Sequence, residues 1–143
     1  MKDDPIPNTD HIARLCQPKT IEDGQIQGSA FMLKLDKGEE GLSVNWLEFF
    51  NCSSREYEID EIRNVYSLKF NRIGARATIA VINVGEVRER VLTESEDRRN
   101  LEVLHDPKED DPSHSEIYNT TPDDILIAEM ILETVHEAYP ARH

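Results

Sequence analysis

The feature that most constrains the fold is the apolar run ATIAVINV at residues 77–84. It is the longest apolar stretch rich in β-branched residues, and it lies between Arg76 and Gly85. Such a run is typical of a strand covered on both faces, because a strand with one solvated face alternates between apolar and polar residues. The sequence therefore predicts a central strand at 77–84.

Two other segments have helical signatures. Ser53 and Glu56 fit a capping box, and apolar residues recur on one face of the segment that follows, which predicts a helix from about 54 to 70. Thr121 fits an N-cap with Pro122 at the first helical position, which predicts a second helix ending near Pro140. The buried stripe expected on this second helix consists of Ile125, Ala128, Leu132, Val135 and Tyr139.

The remaining apolar segments predict further strands. These are expected at 30–35, 42–46, 86–92, 101–105 and 115–119. The first two would form a β-hairpin around the polar loop 36–41, and the third would be an extension leaving the core. Residues 11–16 fit either a short strand or a single helical turn, which Pro18 would end.

This order of elements predicts an α+β fold, with a mainly antiparallel sheet and two principal helices packed on one of its faces. A length of 143 residues is close to the commonest single-domain size, so one domain spanning 1–143 is expected. Within it, Pro5 and Pro7 lie among polar residues, and residues 1–10 are expected to form a poorly ordered N-terminal arm.

The charge is strongly asymmetric. The chain carries a formal net charge of -13, and residues 101–143 contain 11 acidic residues against only Lys108 and Arg142. Such a surface repels phosphate backbones, which disfavours nucleic acid as the main partner, and it attracts a basic protein or a cation. The sequence therefore predicts a basic protein partner, while the oligomeric state stays open.

The chain has no sequence pattern of a membrane or secreted protein. Its apolar runs are all much shorter than the roughly 20 residues that cross a bilayer, and the N-terminus is acidic and contains prolines where a secretory signal is basic and then apolar. We therefore expect a cytoplasmic protein without a membrane partner. In that compartment Cys16 and Cys52 are expected to remain reduced.

The densest group of chemically capable residues lies between strands 101–105 and 115–119. His105, Asp106, Asp111 and His114 fall within ten residues, with Glu116 close behind. Imidazole and carboxylate are ligands of Zn²⁺, Mn²⁺ and Fe²⁺, so these four residues are candidate metal ligands and Glu116 is a candidate base. Their spacing is not that of a zincin helix or a Cys/His finger, and the loop equally fits a solvated acidic turn without a metal or cofactor.

Three residues elsewhere are secondary candidates. His11 and Arg14 would add polar groups to the same cleft, or they would lie on the plain surface. Trp46 is the only tryptophan, and its ring fits either core packing or the stacking of a ligand.

Three motifs carry a resemblance. D-H-I-x-R-L-C at 10–16, LSVNWLE at 42–48 and the LHDP…DDPSH run at 104–114 resemble motifs of small uncharacterised bacterial proteins. The resemblance covers most of the chain and implies an accessory role in a mobile-element or defence neighbourhood. It implies no activity, cofactor or site residue that can be transferred.

Two functions from different classes therefore fit the sequence. The first is a non-catalytic interaction protein whose acidic surface docks a more basic partner. The second is a small metal-assisted hydrolase or nuclease that uses the loop between His105 and His114 and a divalent transition metal.

Overall fold

The described part of the chain contains a six-stranded antiparallel sheet, a two-stranded sheet and three α-helices. The computed structural model describes residues 1–34 and 38–142. The strands are His11–Cys16 (β1), Ile21–Glu22 (β2), Gln25–Ile26 (β3), Leu42–Trp46 (β4), Thr78–Asn83 (β5), Glu102–His105 (β6), His114–Tyr118 (β7) and Glu137–Pro140 (β8). The helices are Arg55–Lys69 (α1), Val84–Glu94 (α2) and Ile125–Leu132 (α3). The predicted α+β class and antiparallel sheet are confirmed.

Six of the strands form one sheet in the order β6-β7-β4-β1-β5-β8, and each neighbouring pair in it is antiparallel. Strands β2 and β3 pair separately. The run at 77–84 supplies β5, which is buried on both faces as predicted: Ile79 and Val81 belong to one apolar cluster, while Ala80 and Ile82 belong to another. It lies next to the edge strand β8 and not at the centre of the sheet.

The helices cover both faces of the sheet, where the sequence predicted two helices on one face. Helix α1 packs Ile59, Ile62 and Tyr66 against the cluster that contains Ile79 and Val81, and we call this side the α1 face. Helices α2 and α3 pack against the cluster that contains Ala80 and Ile82. We call the second side the α2–α3 face.

Helix α1 follows the sequence prediction closely. The side chain of Ser54 accepts a hydrogen bond from the backbone N–H of Tyr57, which satisfies one of the free donors at the start of the helix. Glu56 and Glu58 lie in the first turn and Lys69 in the last, as the helix macrodipole favours. The cap residue is thus Ser54, one position after the Ser53 that the capping box suggested.

Residues 86–92, predicted as a strand extension, instead belong to α2. Val84, Val87 and Val91 are buried at helical spacing, and the Asn83 side chain caps the helix by accepting from the N–H of Glu86. The prediction rested on the alternation of Val87 with Arg/Glu pairs, whereas the apolar residues Val84, Val87 and Val91 also recur at helical spacing and pack as a helix face.

The C-terminal helix is shorter than predicted and is followed by a strand. Asp124, not Thr121, caps α3 by accepting from the N–H groups of Leu126 and Ile127. After the helix the chain turns back, and Tyr139 lies opposite Ile79 in the pairing of β8 with β5. The predicted stripe is therefore wrong: Val135 and Tyr139 lie outside α3, Ile125 is exposed, and the buried residues of the helix are Ile127, Ala128 and Ile131.

The predicted hairpin of 30–35 with 42–46 does not form among the described residues. Gly28–Phe31 is a 3₁₀ turn, and β4 pairs with β1 and β7 instead. Residues 35–37, which include part of the predicted strand and loop, lie outside the described residues. The segment 11–16, for which strand and helical turn were both open, is β1.

The N-terminal segment, predicted to be a poorly ordered arm, contains two turns, and residues 3–6 lie along β6. The N–H of Asp3 donates to the carbonyl of His105, and the N–H of His105 donates to the carbonyl of Asp4. Ile6 donates to Val103 and its side chain is buried in the core. Apolar burial and backbone hydrogen bonds therefore hold this segment in place despite its polar composition.

Both cysteines are free thiols in the structure. Cys16 is buried, and burial raises the pKa of its thiol to about 11, so it stays protonated. Among the described residues, no helix combines the length and the apolar character needed to cross a bilayer.

The two sides of α3 allow a matched test of this packing. Ile131 is fully buried, so Ile131→Ala should lower the free energy of unfolding by about 2–5 kcal/mol. Leu126 is exposed, so Leu126→Ala should change it by less than about 0.5 kcal/mol. Urea denaturation of both variants measures the difference, and equal losses would contradict the orientation of α3.

Candidate functional site

The loop between β6 and β7 is a hydrogen-bonded turn with a buried part and a solvent-exposed part. The N–H of Asp106 donates to the carbonyl of His114, while Lys108 and Asp111 exchange two backbone hydrogen bonds. Asp106 and Asp111 are buried, although Glu109 and Asp110 between them are exposed. The loop therefore divides its carboxylates into two that serve the fold and two that face water.

The two histidines of the loop lie on opposite faces of the sheet. In the pairing of β6 with β7, His105 lies opposite Ser115, so these two residues share a face. His114 immediately precedes Ser115, and side chains alternate along a strand, so its ring points to the other side. Of the four predicted metal ligands His105, Asp106, Asp111 and His114, the fold therefore brings only Asp106 and His114 together.

His105 is held on the α2–α3 face. Its ring packs edge-on against Trp46, with 5.2 Å between the ring centroids, and lies 5.5 Å from Phe49. Its Nε2 is 2.8 Å from the carbonyl oxygen of Pro112, and its Nδ1 is 3.3 Å from the amino group of Met1. These contacts fit a neutral ring that donates from Nε2 and accepts at Nδ1, so both nitrogens are already used.

His114 lies on the α1 face with Asp106 and Glu116. One ring nitrogen of His114 and one carboxylate oxygen from each acid lie within 4.8 Å of one another. The Nδ1 is 2.9 Å from the backbone carbonyl of Asp106, and the Nε2 is 3.3 Å from the hydroxyl of Ser43. Glu116 lies directly opposite Ser43 in the pairing of β4 with β7.

Asp106 is the most strongly paired carboxylate of this group. Its oxygens lie 3.0 Å from Lys2 Nζ and 3.3 Å from Lys108 Nζ. Burial alone would raise the pKa of Asp106, but hydrogen bonds from the two lysines and their charges outweigh it and lower the pKa below its usual value. Asp106 is therefore ionised at neutral pH.

Asp111 belongs to a different, fully buried network. Its carboxylate accepts from Asn45 Nδ2 at 2.8 Å and from the hydroxyl of Ser113 at 3.1 Å, and it pairs with Lys69 Nζ at 3.1 Å. The hydroxyl of Tyr66 donates to Asn45 Oδ1. Burial, reinforced by the charge of Asp111, raises the pKa of Tyr66, so its hydroxyl remains a donor. Asp111 thus ties the loop to β4 and to the end of α1.

The secondary candidates have structural contacts of their own. Both oxygens of Glu48 bind His11, one at its backbone N–H and one at Nδ1, each at 2.7 Å. Arg14 donates to the carbonyl oxygens of Ala30 and Ser43. Trp46 donates from Nε1 to Asp10 at 2.9 Å. None of the three contacts the group formed by Asp106, His114 and Glu116 through these bonds.

Sequence reasoning missed three members of this region. Asn45, Ser113 and Ser43 are uncharged, and no spacing rule marks them, although β4 brings two of them beside the loop. The sequence pattern at 42–46 predicts the strand β4. That β4 lies beside the β6–β7 loop follows only from the order of the strands in the sheet, which the sequence does not reveal.

A shallow cleft between α2 and α3 was also not anticipated. Its volume is about 260 Å³, and it lies between the end of α2 and the start of α3. Carboxylates predominate around it, and its apolar part comes from Leu126, Ile127 and Met130. Residues 86–92 were expected to be a strand, so the sequence did not predict a cleft formed by two helices.

Comparisons with protein-family models, with curated proteins and with solved structures found no match.

The buried network around Asp111 predicts a difference between adjacent acids. Asp111→Ala should lower the free energy of unfolding by about 1–3 kcal/mol, because Asn45 and Ser113 lose their acceptor in a buried position. Asp110→Ala removes the same charge from an exposed position and should cost less than about 0.5 kcal/mol. Chemical denaturation compares the two, and an unaffected Asp111 variant would show that the network does not stabilise the loop.

Proposed function

We propose that this protein is a non-catalytic interaction module that docks a more basic protein. The observation that carries the proposal is the acidic surface formed by α2 and the start of α3, which combines a carboxylate excess with exposed apolar side chains. We call it the α2–α3 acidic surface. It consists of two adjoining depressions that share Glu94.

The charge of this surface is one-sided. Its six carboxylates face two guanidinium groups: Glu86, Glu89, Glu94, Glu96, Asp97 and Asp124 against Arg90 and Arg99. Both arginines are already paired within the chain, since Arg90 lies 2.8 Å from Glu94 and Arg99 lies 2.6 Å from Asp97. A partner with lysines or arginines would add the missing positive charge, whereas a nucleic-acid backbone would be repelled.

Apolar side chains stand beside these charges. Leu126 is 67% exposed and Ile125 is 45% exposed, which is unusual for large aliphatic residues on one short helix. Burial of such side chains under a partner contributes affinity, while the surrounding carboxylates give orientation and speed of association. The chemistry therefore suits a basic segment that also carries apolar residues, such as an amphipathic helix of a partner protein.

The use of polar groups elsewhere supports binding over catalysis. Both ring nitrogens of His105 and the carboxylate of Asp111 have partners inside the chain, so they contribute to the fold. The three sequence motifs resemble those of small bacterial proteins from defence or mobile-element neighbourhoods. On that basis we propose an accessory role in such a system, in the bacterial cytoplasm.

The proposal predicts a strong dependence of association on salt. For a basic protein captured from the native host, the on-rate should fall at least about 10-fold between 0.01 M and 0.1 M salt, because the Debye length shrinks from about 30 Å to about 10 Å. Biosensor kinetics at several salt concentrations measure it. A salt-independent on-rate would contradict electrostatic docking.

A pair of double variants locates the docking surface. Glu94→Gln/Glu96→Gln and Glu109→Gln/Asp110→Asn remove the same charge from exposed positions on different parts of the molecule. We expect the first pair to slow association and weaken affinity, and the second to have a much smaller effect. If the loop variant has the larger effect, the partner docks at the β6–β7 loop and not on α2 and α3.

A further inference from the structure

The group formed by Asp106, His114 and Glu116 has the composition of a metal site. It lies on the α1 face, away from the α2–α3 acidic surface, and the proposed docking function does not use it. Asp106 and His114 are only 4% and 5% exposed, whereas Glu116 is half-buried and Ser43 beside it is exposed. Two buried ligand groups thus meet solvent on one side. We infer that these three residues bind a divalent transition-metal ion.

His114 is prepared as a ligand by its second hydrogen bond. If Nδ1 carries the proton and donates to the carbonyl of Asp106, the lone pair of the neutral ring is on Nε2. Histidine ligands of metals commonly donate their other N–H to a backbone carbonyl in this way, which fixes the tautomer and the ring orientation. The remaining contact of Nε2 is a long one to the Ser43 hydroxyl, at 3.3 Å, which a metal ion would replace.

The two carboxylates supply the negative charge. Asp106 pairs with Lys2 and Lys108, but these lysine side chains are 67% and 50% exposed and can turn into water when a cation arrives. The hydroxyl of Tyr118 donates to the carboxylate of Glu116. The carboxylate of Glu116 and the imidazole of His114 are therefore each held by a second hydrogen bond, as is common for metal ligands.

The separations are close to those that coordination requires. With metal–ligand bonds of about 2.1 Å, two ligand atoms on one ion lie no more than about 4.2 Å apart. One ring nitrogen of His114 and one oxygen of each carboxylate lie within 4.8 Å of one another, and Nδ1 is 3.4 Å from Asp106 Oδ2, so side-chain rotation is needed to bring Nε2 and both carboxylates onto one ion. One imidazole and two carboxylates without a thiolate suit Zn²⁺ or Mn²⁺, and the Irving–Williams order places Zn²⁺ as the tighter of the two.

The test uses Zn²⁺ itself with the full chain. The protein is treated with a chelator and dialysed, then titrated with Zn²⁺ by calorimetry, and the bound metal is counted by elemental analysis. We expect about one Zn²⁺ per chain, weaker binding of Mn²⁺, and no stoichiometric binding of Mg²⁺, which dehydrates reluctantly and favours oxygen ligands.

Three variants decide whether the ions bind here. Glu116→Gln changes a half-buried ligand without changing its shape, and His114→Asn keeps a donor near the carbonyl of Asp106 while it removes Nε2. Each should weaken Zn²⁺ binding more than about 10-fold, since loss of even an outer-shell partner costs about 10–100-fold. His136→Ala removes an exposed histidine that pairs with Glu86, and it should bind Zn²⁺ like the wild type.

Circular dichroism checks that each variant is folded, and if His114→Asn does not fold, Glu116→Gln decides alone. Absence of stoichiometric Zn²⁺ in the wild type would overturn the inference. So would wild-type affinity in Glu116→Gln, because the ion would then be bound elsewhere, for example by the terminal amine and His105. Neither result bears on docking at the α2–α3 acidic surface, so the two proposals fail separately.

Discussion

The alternation of side chains across a sheet that is covered on both faces governs this structure. Adjacent apolar residues of β1 and β5 belong alternately to two apolar clusters, so a shift of either strand by one position would exchange the residues of the two clusters. The same rule sends His105 and His114 to opposite sides. It places one ring among aromatic residues and the other beside carboxylates, and so gives two identical residue types different environments.

Polar groups fix the register that the apolar clusters allow. Asn45 lies on β4 opposite His114, and its amide reaches Asp111 and Ser113 in the neighbouring loop. Because these groups are buried, each alternative pairing would leave a donor or acceptor without a partner. The network around Asp111 therefore selects one arrangement of the β6–β7 hairpin against the others.

The sequence predicted elements that depend on local signals and missed those that depend on distant partners. The apolar run at 77–84 and the cap at the start of α1 were recognisable, since the first has no polar face and the second is a short-range hydrogen bond. Strand β8 was read as the end of a helix, because its apolar residues also fit a helical period and only β5 makes it a strand. His114 and Glu116 share a face of β7 by their spacing, but the approach of Asp106 to them depends on the pairing of β6 with β7, which local sequence does not reveal.

The two edges of the six-stranded sheet differ in how far they are covered. Residues 3–6 occupy the backbone groups of β6, and at the other edge Pro140 has no N–H while its carbonyl accepts from Arg63. Exposed edges are the usual route to β-sheet aggregation and to recognition by β-augmentation, in which a partner's backbone extends the sheet. A partner strand therefore cannot pair along β6 while residues 3–6 are in place, and along β8 it would lose the hydrogen bond that Pro140 cannot donate.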